Sequence, residues 1–200
     1  METAVARNKG DRDARVYLLG GPMRVGKSII ARRFRERTGT SVVSTDDVVR
    51  MLKDGAPQLG IDFEMPVPDE CAALWPFLRP LIAIRVERLD PLLIEGEGIS
   101  PLQVAAMSSE HVGRVRACFI GELTISPSEK LTHIRRFSEA HGDWLTGQSQ
   151  EAYALIVDQI MAMSREYERE CSALGITFFD MGDDFEQSAD RVVEFLVTGR

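Results

Sequence analysis

One eight-residue segment governs the interpretation of this sequence: Gly21-Pro22-Met23-Arg24-Val25-Gly26-Lys27-Ser28. It fills every fixed position of the pattern G-x-x-x-x-G-K-[ST], in which backbone N–H groups and the lysine bind phosphate oxygens. A short β-rich run, 15–20, precedes it, and apolar residues at helical spacing follow it. Phosphate binding requires this order of strand, loop and helix, because the helix N-terminus adds the positive end of its dipole. The alternative is a glycine-rich turn that matches by chance.

The pattern also assigns roles within the loop. Lys27 is expected to reach the β- and γ-phosphates of a nucleotide, and Ser28 is expected to ligate Mg²⁺. We therefore predict ATP and Mg²⁺ as the ligands. Arg24 could help to neutralise phosphate charge, although a side chain at that position more often faces solvent. The predicted nucleotide contacts are Gly21, Pro22, Met23, Arg24, Val25, Gly26, Lys27, Ser28 and Ile29.

Composition limits what can surround this loop. A chain of 200 residues with 44% hydrophobic content suits one compact domain, predicted over 14–200 after a flexible N-terminus at 1–13. A formal charge of −7 argues against a broad nucleic-acid surface. Three separated cysteines in apolar segments indicate buried thiols in a reducing compartment. Without a leader or a membrane-length apolar run, the prediction is a cytoplasmic protein with no membrane partner and an open oligomeric state.

Acidic residues follow two further predicted strands. The strand at 40–44 is followed by Asp46 and Asp47, and the apolar run at 91–98 contains Glu95 near its end. Open α/β sheets bind ligands at the carboxyl ends of their strands. Asp46 and Asp47 are therefore either helix caps or ligand-facing carboxylates. Glu95 either caps the next helix or holds Mg²⁺ through water, and we prefer the second interpretation because Ser100 already supplies a cap.

The middle of the chain gives weaker signals. Residues 53–68 lose periodicity and gather glycine and proline, which indicates an exposed connection or a substrate-covering insertion. Residues 69–88 look helical, but Pro76 and Pro80 predict two pieces or a kinked helix. The acceptor pocket would be built from this region, where no chemical signature is visible.

The C-terminal half continues the alternation of strands and helices. Strands are predicted at 115–121 and 176–180, and a long helix at 149–174. Between them a short basic helix opens at a capping box and breaks near residue 142, so the segment 122–150 is a candidate lid over the phosphates. The alternative is an ordinary exposed basic helix. The alternation predicts an α/β fold with a parallel sheet covered on both faces.

The whole pattern resembles the P-loop kinase family of small phosphotransferases, including 2-phosphoglycerate kinase-like and zeta-toxin-like proteins. The motifs that carry the resemblance are 21–28, 44–47 and 93–96, and it covers roughly residues 15–199. It implies a three-layer fold with a five-stranded sheet in the order 2-3-1-4-5. It also implies a mobile lid bearing arginines, for which Arg135 and Arg136 are the candidates.

The resemblance further implies that the acid after the second strand accepts the proton of a substrate hydroxyl or assists Mg²⁺. That role falls on Asp46 or Asp47. Thr45 and Arg50 are similar to the nucleotide-gripping residues of adenylate kinases. The glycine-phenylalanine-proline-arginine run of those enzymes is missing after the third strand, which argues against an adenylate kinase.

These observations predict transfer of the ATP γ-phosphoryl group to a hydroxyl or phosphate of a small molecule. The predicted catalytic residues are Lys27, Asp46, Asp47, Arg135 and Arg136, and the predicted metal ligands are Ser28, Asp46 and Glu95. Two alternatives are a nucleotide-binding switch that hydrolyses slowly and a kinase of nucleic-acid ends. The acidic composition argues against the second.

Overall fold

Five parallel strands form the centre of the protein, in the order β2-β3-β1-β4-β5. The computed structural model describes residues 14–182 and 184–200, so the predicted flexible segment 1–13 lies outside the described residues. The predicted sheet order is confirmed. The strands are β1 (Val16–Gly20), β2 (Ser41–Ser44), β3 (Leu92–Gly96), β4 (Val115–Gly121) and β5 (Thr177–Asp180).

Helices connect successive strands, as parallel pairing requires. A short 3₁₀ helix, Pro57–Leu59, lies in the irregular connection before the third α-helix. The α-helices are α1 (Lys27–Thr38), α2 (Thr45–Gly55), α3 (Val67–Arg88), α4 (Pro101–Glu110), α5 (Pro127–His141), α6 (Gln150–Leu174) and α7 (Phe185–Thr198).

Each face of the sheet has its own hydrophobic core, because successive strand residues point to opposite faces. In β3, Leu92 and Ile94 pack with residues of α2, α3 and α4, whereas Leu93 packs with residues of α1 and α7. Helix α6 contributes to both cores. Its N-terminal half supplies Tyr153 to the α1 side, and its C-terminal half supplies Tyr167 to the other. The predicted three-layer α/β architecture is confirmed.

Several predicted helix boundaries are confirmed by their capping geometry. Helix α1 ends at Gly39, which adopts a left-handed conformation with φ 71°. Helix α5 begins with a capping box in which Ser126 accepts from the N–H of Glu129 and the Glu129 carboxylate accepts from the N–H of Ser126. Ser149 caps α6, and Gly175 ends it. These signals are local, so the sequence could place them.

Helix α3 runs without interruption through Pro76 and Pro80, so of the two predicted outcomes, two pieces or a kinked helix, the break into two pieces is wrong. A proline inside a helix removes one hydrogen bond and costs about 3 kcal/mol or more. The cost is offset by burial, because Leu74, Leu78 and Ile82 of α3 are at most 1% exposed in the core.

The cysteines and the apolar character of the helices can be compared with the sequence. Cys71, Cys118 and Cys171 are buried and unpaired, as predicted. Within the described ranges, no helix combines the length and the apolar character needed to cross a membrane.

Candidate active site

The loop between β1 and α1 follows a path that requires glycine at two positions. Gly21 and Gly26 have φ angles of 148° and 96°, values that other residues rarely adopt. A Cβ at position 21 would collide with the Ile120 carbonyl oxygen, and one at position 26 would collide with the Phe185 ring. Such turns direct successive backbone N–H groups into one concavity, which suits phosphate.

Lys27 lies folded back across this loop. Its side chain is buried, and Nζ donates to the carbonyl oxygens of Gly21 at 2.9 Å and Pro22 at 2.6 Å. Burial lowers the pKa of Lys27, while the charges of Glu97 and Glu95 oppose that shift. The ammonium group is therefore held at the loop before any phosphate is bound.

Ser28 and Glu95 bring two oxygen ligands together where α1 meets β3. The Ser28 hydroxyl donates to Glu95 Oε1 at 3.3 Å. Burial raises the pKa of Glu95, although Lys27 and hydrogen bonds with Ser44 and Ser28 lower it. Asp46, the third predicted ligand, acts on Glu95 through its charge alone.

A hydroxyl and a carboxylate fit Mg²⁺, which takes few protein ligands and completes its shell with phosphate and water oxygens. Over 14–182 and 184–200, no three His, Cys, Asp or Glu side chains lie close enough to hold a metal ion by themselves. The hydroxyl of Ser28 and the carboxylate of Glu95 therefore fit a Mg²⁺ that arrives with a nucleotide.

The turn from β2 into α2 places the predicted acids differently from expectation. Ser44, not Asp46 or Asp47, caps α2, since its side chain accepts from the N–H of Asp46 at 3.3 Å. Ser44 has the extended backbone that a cap needs, whereas both aspartates already lie in the first helical turn. Both carboxylates are thus free of a capping role. The buried Thr45 accepts from the N–H of Gly98, which ties this turn to the end of β3.

The two aspartates differ in their electrostatic surroundings. The charge of Asp46 raises the pKa of Glu70, Glu95 and Glu97. Asp47 makes no comparable contribution to these three groups. Asp46 is therefore the acid that lies nearer the loop acids, although both aspartates are exposed on the same helical turn.

Glu97 is a candidate site residue that the sequence analysis did not single out. Its Oε1 accepts from the backbone N–H of Met23, at 2.5 Å, inside the phosphate loop. Burial raises the pKa of Glu97, and Lys27 and the Met23 hydrogen bond act against this. The available signal was that the pair Glu97-Gly98 repeats the acid-glycine pair ending β3.

Glu70 is the second residue that was missed. It lies in the first turn of α3 and is 8% exposed. Burial, with the charges of Glu97 and Asp46, raises the pKa of Glu70 to about 7. An acid at a helix N-terminus normally indicates a solvated side chain, so no sequence pattern predicts the burial of Glu70.

Arg24 connects the phosphate loop to the candidate lid. Its guanidinium donates to Asp143 at 2.6 Å and lies 5.5 Å and 5.8 Å from the ring centres of Phe137 and Trp144. Burial raises the pKa of Asp143, but hydrogen bonds with Arg24 and with backbone hold it below its usual value. The expectation that Arg24 faces solvent is wrong, because its guanidinium contacts side chains of the segment 137–144.

A buried ion pair supports the loop from the same side. Lys130 Nζ donates to the Arg24 carbonyl oxygen at 2.6 Å and to Glu122 Oε1 at 2.8 Å. The two side chains are 3% and 8% exposed. The lid segment is therefore joined to the loop through both the side chain and the backbone of Arg24.

The predicted lid arginines do not share that contact. The guanidinium of Arg135 lies 5.2 Å from the centre of the Tyr153 ring on α6. Arg136 is exposed. Their role toward phosphate stays a prediction.

Comparison with known proteins gives matches among solved structures. No protein-family model and no curated protein matches the sequence. A gluconokinase from Sinorhizobium meliloti 1021 is similar over 92% of this chain and 93% of its own, with 14% identity and a TM-score of 0.55. A shikimate kinase from Bacteroides thetaiotaomicron is similar over 90% and 97%, with 15% identity and a TM-score of 0.51.

A shikimate kinase from Acinetobacter baumannii in complex with shikimate is also similar, over 92% of this chain and 90% of its own, with 13% identity and a TM-score of 0.50. All three likenesses extend over nearly the whole chain. At such identities they establish the fold alone. The chain has the P-loop kinase fold, as its resemblance to that family implied.

Proposed function

We propose that the protein is an ATP-dependent phosphotransferase that moves the γ-phosphoryl group to a hydroxyl or phosphate of a small molecule. One observation carries this proposal. The phosphate loop with Lys27, the Ser28–Glu95 pair and the carboxylates of Asp46 and Glu97 meet at one edge of the sheet. Phosphoryl transfer needs this combination of cation, oxygen ligands and acid.

Each residue then has a role that follows from its position. Lys27 exchanges the carbonyls of Gly21 and Pro22 for phosphate oxygens and stabilises the negative charge of the transferring group. Ser28 and Glu95 would hold Mg²⁺, Glu95 through a water molecule, and Asp46 would assist. When bound, Mg²⁺ neutralises phosphate charge and fixes the geometry of the nucleotide.

The reaction forms one bond and breaks one. For a hydroxyl acceptor, the acceptor oxygen attacks the γ-phosphorus while the bond from that phosphorus to the β–γ bridging oxygen breaks, and ADP leaves with the bond's electron pair. Asp46 orients the hydroxyl and takes its proton, which then passes to solvent. A loose transition state demands mainly positioning, so an ordinary aspartate suffices.

The segment 122–150 is proposed as the lid. The support is its contact with the phosphate loop, where Asp143 and Lys130 hold Arg24. Arg135 and Arg136 are on the same segment and would supply positive charge on closure. ATP supply and three free thiols fit a cytoplasmic setting.

The test is incubation of the purified protein with Mg²⁺-ATP and a mixed acceptor panel, following ADP and acceptor mass together. Lys27→Ala should abolish turnover, because its ammonium carries the phosphate charge. Arg35→Ala removes an exposed cation from α1, the helix that carries Lys27, and is the matched control. Normal turnover by folded Lys27→Ala would refute the assignment of the loop. ATP binding without an acceptor product would favour a nucleotide switch.

A further inference from the structure

The mouth of the phosphate loop is lined by acids, and this bears on the acceptor. Any acceptor has to approach the terminal phosphate there. Glu97 already occupies this place, because its carboxylate accepts from the Met23 N–H of the loop. An acid beside the site of transfer repels a phosphorylated or carboxylated acceptor.

The buried carboxyl group of Glu70 independently indicates that a bonding partner is missing from this pocket. Its side chain is more than nine-tenths buried, and Oε1 lies 3.0 Å from the position that a Cβ on Gly98 would take. In the part of the chain that the structure describes, the side-chain carboxyl group of Glu70 makes no hydrogen bond or ion pair, whereas its backbone N–H donates to the Pro66 carbonyl oxygen. Buried carboxyl groups are normally paired, because desolvation without a partner is costly. Glu70 is therefore aimed at the end of β3 with its bonding capacity unused.

The charge balance of this pocket depends on Lys27. Lys27 is a buried cation of the phosphate loop whose Nζ is bonded to the carbonyl oxygens of Gly21 and Pro22, and its charge acts on the carboxyl groups of Glu70 and Glu97. A bound nucleotide would recruit that ammonium to its phosphates. Glu70 and Glu97 would then lack a counter-ion unless one arrives with the acceptor.

Two other sources of positive charge fit less well. A second metal ion would have to be held by the carboxylates of Glu70 and Glu97 with water and phosphate oxygens, since no described group of three acidic, histidine or cysteine side chains could hold one by itself. Arg50 is exposed on α2, with its guanidinium 5.6 Å from the centre of the Phe63 ring. The positive charge of Arg50 would attract an anionic acceptor, which is therefore the main alternative to an amine.

We propose that the acceptor carries a protonated amine within reach of its reactive hydroxyl, and that the carboxylates of Glu97 and Glu70 bind this ammonium group. The proposal rests on the phosphotransferase function above and names its substrate class, an amino alcohol or aminosugar. The hydroxyl oxygen takes the phosphoryl group and loses its proton as described, while the amine keeps its charge throughout.

The test uses two sets of acceptors that differ in one group: glucosamine, glucose and glucuronate, and serinol, glycerol and glycerate. Phosphorylation by Mg²⁺-ATP is read from acceptor mass, and binding to the Mg²⁺-ADP complex from ligand-observed NMR. We expect the amine member of each set to be bound or phosphorylated about tenfold better, as one additional ion pair of about 1.4 kcal/mol would give. Equal or better use of the neutral or carboxylate members overturns the proposal, as does absence of any amine preference in binding.

Variants separate recognition from folding. Glu97→Gln and Glu70→Gln should each reduce the amine-to-neutral ratio several-fold, whereas Asp69→Asn, an exposed acid next to Glu70, should not. A purely structural role would lower the use of both members alike and leave the ratio unchanged, which would refute the assignment. Mg²⁺-ATP binding is measured separately. If it is absent, the phosphotransferase proposal fails; if neutral acceptors are phosphorylated best, only the amine proposal fails.

Discussion

Replacing Glu70 by glutamine should stabilise the protein at neutral and alkaline pH and change little at acidic pH. Burial and two neighbouring acids raise the pKa of Glu70 from 4.5 to about 7. One pKa unit corresponds to about 1.4 kcal/mol, so ionising Glu70 in the folded state costs roughly 3 kcal/mol more than in the unfolded chain.

The direction of the pH dependence of stability follows from whether Glu70 ionises first in the folded or in the unfolded state. Below pH 4.5 both states keep the proton, and Glu70 carries no penalty. Between pH 4.5 and about 7 the unfolded chain loses its proton more readily, so stability falls as pH rises. Above about pH 7 the full penalty is present. Glutamine resembles the protonated acid in shape and does not titrate.

The assay is urea unfolding of both proteins at pH 5 and pH 8. We expect Glu70→Gln to exceed the wild type by about 2–3 kcal/mol at pH 8, which for a chain of this size raises Tm by about 5–10 °C. At pH 5 the difference should fall to less than about 1 kcal/mol, because the unfolded chain has only begun to gain from ionising. Asp69→Asn removes the same formal charge from an exposed neighbour and should show no such pH dependence. Parallel pH curves for the wild type and Glu70→Gln would refute the reasoning.

Three further predictions concern the loop and its supports. Asp46→Asn should lower kcat at least tenfold while Asp47→Asn changes it little, since Asp46 lies near the loop acids; equal mild effects in steady-state assays would contradict this. Lys130→Met should cost about 3–5 kcal/mol in denaturant unfolding, because its buried acid partner loses its counter-ion; wild-type stability would disprove it. Arg24→Ala and Asp143→Asn should couple by about 0.5–1 kcal/mol in a double-mutant cycle of unfolding free energies, and strict additivity would count against a direct pair.

The parts of the fold that could be predicted depend on short sequence patterns. The loop pattern, Gly39 after α1 and the capping box at Ser126 each describe a few neighbouring residues. Helix α3 continues through its two prolines because the burial of Leu74 and its neighbours contributes more free energy than the prolines cost. Local propensity predicts poorly wherever distant packing contributes more free energy.

The candidate site divides in the same way. Lys27, Ser28 and Glu95 could be predicted because the pattern and the strand end fix their backbone positions. Glu70 could not be predicted, because its burial depends on how α3 packs against the end of β3. The residues next to Glu70 in the sequence do not determine this packing. Glu97 was hidden for a related reason: its hydrogen bond to the loop joins residues 74 positions apart.

Helix α6 has a consequence for how the molecule comes apart. Since its two halves belong to different cores, neither face of the sheet can melt without removing part of the packing of the other. Tyr153 at its N-terminal end also donates to the Leu145 carbonyl oxygen at 2.8 Å, within the lid segment. Cooperative unfolding of both layers should therefore be the rule, and any opening of the proposed lid would have to leave in place the end of that segment which Tyr153 anchors to α6.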